Sequence, residues 1–111
     1  MELQSPTLTL PIPPDHSLPL VHLLWPVVQV DPYRDSRIPA SALGDCLRVL
    51  KAEQQRGREQ RLRERLGRAP RGEPWEEALW KGDPWLELIG QLQRVFELAL
   101  EGEVELRVIG D

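Results

Sequence analysis

One amphipathic stripe near the C-terminal end constrains this chain most. Trp85, Leu88, Ile89, Leu92, Phe96 and Ala99 recur at i, i+3, i+4, i+7, i+11 and i+14. That spacing lines side chains along one face of an α-helix. Asp83-Pro84 supplies an N-cap and a proline for the first helical position, and Gly102 stands where a helix end favours glycine. The sequence predicts a helix over 84–101. A helix with one apolar stripe needs another layer to cover it. Val104, Leu106 and Val108 alternate with Glu105 and Arg107 just beyond. Period two predicts a strand over 103–109, with one dry and one wet face.

The N-terminal third reads as a strand hairpin over 1–30. In Thr7-Leu8-Thr9-Leu10-Pro11-Ile12 the apolar residues alternate with polar ones or proline. Pro6, Pro11, Pro13 and Pro14 donate nothing to a ladder, so they push this strand to an edge. The run Leu20 to Val30 is apolar on both parities. It predicts a second strand covered on both faces, with Pro26 at a bulge and a loop from Asp31 to Ala40. Ser41 is placed to cap a helix in which Leu43, Leu47 and Leu50 form an apolar face. Leu62 and Leu66 resume the spacing roughly 120–160° away from that face. This helix with its basic arm spans 41–68, and the Gly- and Pro-bearing stretch 69–83 reads as a linker.

The order is β-β-α-(α)-α-β. The expected fold is α+β, a two-layer sandwich of about three antiparallel or mixed strands with helices on one face. A chain of 111 residues with 19 Leu, 8 Val, 4 Ile and one Phe fits a single domain, 1–111, with a packed core. Three strands leave open edges, which suits a homodimer or a strand donated by a partner.

Charge is unevenly placed. The net charge is −4, against the globally basic balance of many nucleic-acid binders. Yet residues 48–71 hold nine bases and three acids, a local charge of +6. Arg56, Arg58, Arg61, Arg63, Arg65, Arg68 and Arg71 make up its distal part. The arm has three readings: a solvated helix with pairs such as Glu59–Arg63 and Glu64–Arg68, contact with the acidic remainder of its own or a partner chain, or contact with nucleic-acid phosphates. No aromatic residue interrupts it to stack a base. Beyond the arm, Trp75 and Trp80 lie beside linker residues with Glu76 and Glu77 between them. Either they cap the core or they anchor a protein partner, with the acids as a rim.

Catalytic patterns are missing. His16 and His22 are the only histidines, and no HExxH, CxxC or calcium-loop spacing appears. No metal and no cofactor is expected. Cys46 sits among Leu43, Leu47, Val49 and Leu50 like an inert core thiol. The phosphate-loop, dinucleotide and GxSxG patterns are absent too. Asp31, Asp35 and His22 are the residues on which a small enzyme would have to rely. The opening MELQSPTLTL lacks a basic start, and the longest apolar stretch, 18–30, is too short to span a bilayer. A cytoplasmic location without membrane attachment is expected. The function that fits is a non-catalytic interaction protein (an accessory, inhibitor or immunity-type subunit). The alternative is a nucleic-acid-associated regulator that uses 56–71.

Overall fold

The computed structural model describes residues 1–110. Four strands form one antiparallel sheet: β1 (Glu2–Gln4), β2 (Thr9–Pro11), β3 (Ser36–Ile38) and β4 (Leu106–Ile109). Three α-helices accompany it: α1 (Pro14–Leu24), α2 (Leu43–Leu66) and α3 (Pro84–Glu101). Single 3₁₀ segments occupy Ala40–Ala42 and Pro74–Leu79. The fold is α+β, with helices packed on the sheet.

Strand order is β2-β1-β4-β3. Leu3 stands opposite both Leu10 and Val108, and Ile38 stands opposite Leu106. Leu3, Ile38, Leu106 and Val108 are buried beneath the helices, while Arg37 and Arg107 pair across the exposed face. β1 and β4, the two ends of the chain, are the central strands. The expectation of about three strands is therefore corrected to four. The hairpin is β1–β2 (2–11), not 1–30. Its turn is tied by the Ser5 hydroxyl oxygen, which accepts from the Leu8 N–H at 3.0 Å. A three-residue strand also forms inside the expected loop 31–40.

The predicted strand over 20–30 is overturned: residues 14–24 are helical. Pro13 is extended, as a residue before proline prefers, and Pro14 then starts the helix. The buried residues of α1 are Ser17, Leu20, Val21 and Leu24, at i, i+3, i+4 and i+7. A second stripe, Leu18, Val21, His22 and Trp25, follows one residue later, about 100° around the helix. Two overlapping helical stripes read as apolar on both parities. Such a short run looks like a buried strand until tertiary contacts decide. Pro26, with no N–H to return to the last turn, ends the helix.

α2 begins at Leu43 with no side-chain cap, so Ser41 does not cap it. It continues through Gly57 to a left-handed Gly67 (φ 68°), whose N–H reaches the Arg63 carbonyl at 2.9 Å. Gly57 marks a helix crossing rather than a helix end. A Cβ there would lie 2.5 Å from Leu86 Cδ2 of α3. The first half of α2 buries Leu43, Cys46, Leu47 and Leu50 in the core. Beyond Gly57 the helix serves another surface. Leu62 there lines a pocket against residues 69–80, which accounts for the rotated second face. Burial pushes the Cys46 thiol up to about 11.

α3 occupies its predicted place, 84–101, whereas β4 is shorter than the strand predicted over 103–109: it begins at Leu106, after a turn in which Glu103 takes φ 52°. The Asp83 carboxylate accepts from the Leu86 N–H at 3.0 Å. Leu88, Ile89, Leu92, Phe96 and Ala99 are buried. Each large side chain of that stripe contributes about 1.5–3 kcal/mol by leaving water.

Candidate functional site

The basic arm is largely engaged by its own chain. Arg56 pairs with Glu53 at 2.6 Å, Arg61 with Asp83 at 3.0 Å, and Arg68 approaches Glu76 at 3.9 Å. The Arg58 guanidinium lies 4.2 Å from the centre of the Trp80 ring. Arg65 donates to the Leu79 carbonyl. Arg63 and Arg71 alone among the seven are exposed without a side-chain partner among the described residues. The pairs Glu59–Arg63 and Glu64–Arg68 do not form; Gln55 donates to Glu59 and Gln60 to Glu64 instead.

Two acids anchor this network. Burial pushes the Asp83 carboxyl upward. The Leu86 N–H and the Arg61 guanidinium outweigh it and hold the group below the usual carboxylate range. Glu53 behaves alike: burial raises it, but hydrogen bonds from Arg56 and Trp85 bring it down. Trp85 Nε1 donates to Glu53 Oε1 at 3.2 Å, linking α3 to α2.

Of the four residues read as a partner patch, Glu76, Glu77 and Trp80 stay together and Trp75 does not. Glu76 is only 2% exposed. Its carboxylate accepts from the Arg71 N–H at 3.0 Å and the Glu73 N–H at 3.1 Å, closing the loop on itself. It cannot serve as an exposed acidic rim, because both oxygens face the loop backbone. Trp80 is half-buried beside Arg58, whereas Trp75 is exposed and donates its indole N–H to Glu73. Glu76, Glu77 and Trp80 line one pocket against α2 with Arg58 and Arg63, and Trp75 is outside it.

A different surface gathers two exposed aromatics around one cleft. Leu18 on α1, Trp25 just after its last residue and Tyr33 on the following loop are 49%, 49% and 68% exposed. With Val21, His22 and Val30 they line a cleft of about 640 Å³. The loop wall is built tightly. Asp31 Oδ1 accepts from the Tyr33 N–H at 2.8 Å, and Asp35 Oδ1 accepts from the Gly110 N–H at 3.1 Å. A Cβ on Gly110 would sit 2.2 Å from the Arg34 nitrogen, so only glycine lets the end of β4 approach the wall. The sequence reading missed this cleft because it placed Trp25 in a strand. Helical numbering of 18–25 would have shown it.

His22 and Asp31 share the cleft, and Asp35 is held by Gly110. His16 instead meets Trp85 edge-on at 5.4 Å. Among the described residues no group of three His, Cys, Asp or Glu is placed to hold a metal ion. No helix of the described residues is long and apolar enough to cross a membrane. No protein family, no curated protein and no solved structure matches this chain.

Proposed function

We propose that the protein is a non-catalytic interaction module that holds an apolar segment of a protein partner in the Trp25–Tyr33 cleft. One observation carries this reading: Leu18, Trp25 and Tyr33 stay exposed around a single concavity. Exposed apolar patches around a concavity are a mark of binding surfaces. Tryptophan and tyrosine are the residues that most often dominate such contacts. The cleft volume and apolar lining also fall in the range of pre-formed binding sites.

The experiment compares the immobilised chain with a Trp25→Ala/Tyr33→Ala variant in a host lysate. A protein retained by the first and lost by the second, with circular dichroism unchanged, supports the reading. Equal retention by both refutes it. The nucleic-acid alternative draws less support from the geometry, because only Arg58, Arg63 and Arg71 of the arm have no hydrogen-bond acceptor or ion-pair partner for their guanidinium among the described residues. Three contacts give a slope of log affinity against log salt of about −3, far shallower than that of a dedicated duplex binder.

A further inference from the structure

We propose that the groove between α2 and α3, which shares no lining residue with the Trp25 cleft, binds a small organic phosphate attached to a planar ring. The groove has a volume of about 460 Å³. Gln54 and Arg58 (i, i+4) form its α2 wall, and Glu87, Gly90, Gln91 and Arg94 (i, i+3, i+4, i+7) form its α3 wall. The loop Trp80-Lys81-Gly82 closes one end.

Three observations point to an anion. First, Arg58, Lys81 and Arg94 converge on the groove against one acid, Glu87. Second, none of the three has an ion-pair partner among the described residues, although seven of the chain's 14 Lys and Arg do. In a chain of net charge −4, three unpaired cations at one concavity are not forced by composition. Third, the Arg58 Nε is buried with no acceptor. A buried donor without an acceptor carries a desolvation cost that a bound oxygen would remove. The surplus of two positive charges matches a phosphate dianion better than a single carboxylate. Arginine also offers the forked donors that phosphate oxygens accept.

Shape narrows the ligand. Gly90 leaves the groove floor open: a Cβ there would meet nothing nearer than Gln54 Nε2 at 3.4 Å. Gly82, at φ 86°, turns the chain so that Lys81 and Trp80 both border the groove. The half-buried indole of Trp80, with the Arg58 guanidinium 4.2 Å from its ring centre, gives an apolar flank beside which a planar ring can lie while its phosphate meets the cations.

The test is an NMR titration of the intact chain with adenosine 5′-monophosphate, adenosine and inorganic phosphate. The expected result is shifts at the Lys81, Gly82, Gly90 and Gln91 amides with the monophosphate. Its affinity should exceed that of either fragment at least tenfold. Lys81→Ala/Arg94→Ala should weaken it at least tenfold with an unchanged melting temperature, since neither side chain has a structural partner. Shifts confined to other residues overturn the proposal. So do equal binding of adenosine, equal binding by the variant, no binding by 10 mM, or a requirement for a long RNA or DNA. None of these outcomes bears on the Trp25 cleft.

Discussion

Replacing Asp83 by alanine removes two roles at once, and the structure fixes the size of each. The carboxylate caps α3 through the Leu86 N–H at 3.0 Å and pairs with Arg61 Nε of α2 at 3.0 Å. Loss of an N-cap costs about 1 kcal/mol. The Arg61 pair is only 23% and 17% exposed, so water replaces it poorly. A hydrogen bond between charged groups in such a place contributes about 1.5 kcal/mol. The sum is about 2–3 kcal/mol, or a fall in melting temperature of about 8–12 °C for a chain of this size. Asp83→Asn should lose about half as much, because Asn caps nearly as well as Asp but carries no charge. Urea unfolding of Asp83→Ala, Arg61→Ala and the double variant closes a thermodynamic cycle, with an expected coupling of about 1–2 kcal/mol. A coupling near zero, or equal losses for Ala and Asn, would refute the division into cap and ion pair.

Acid should weaken the fold through the same groups. Asp83 and Glu53 both have folded-state values held low, so their stabilisation is complete above the ordinary carboxylate range and fades as pH falls through the lowered values. Chemical unfolding followed from pH 7 to pH 3 should show stability declining below about pH 5, with a flatter profile for Asp83→Asn. Gly57→Val should destabilise by about 2 kcal/mol, because its Cβ meets the buried Leu86 at 2.5 Å. A melting temperature at or above that of the parent chain would show that α3 yields at no cost. Cys46, with its thiol at about 11 and no exposed surface, should resist a thiol reagent at pH 8 until denaturant is added. Rapid labelling of the folded chain would place it elsewhere than in the core. Gly110→Ala should speed amide exchange across 31–35, since the wall of the cleft can no longer dock against β4. Unchanged exchange there would remove Gly110 from that role.

Sequence alone determined the elements whose signals are local. The stripe from Trp85 to Ala99, its Asp83-Pro84 start and the alternation of 104–108 specify α3 and β4 because each pattern is complete within one segment. The α+β class and the segregation of charge follow in the same way. Tertiary structure decided the rest. β1 lies at the sheet centre because Leu3 meets Val108, a partner at the far end of the chain that no local pattern announces. Residues 14–24 are a helix because one stripe found the core while the next, rotated by about 100°, was left to form the cleft. Glu76 turns inward because two backbone N–H groups of its own loop offer a better site than the surface. Periodicity records which side chains avoid water. Which neighbour covers them, and which stay uncovered, depends on contacts that exist only once the chain has folded.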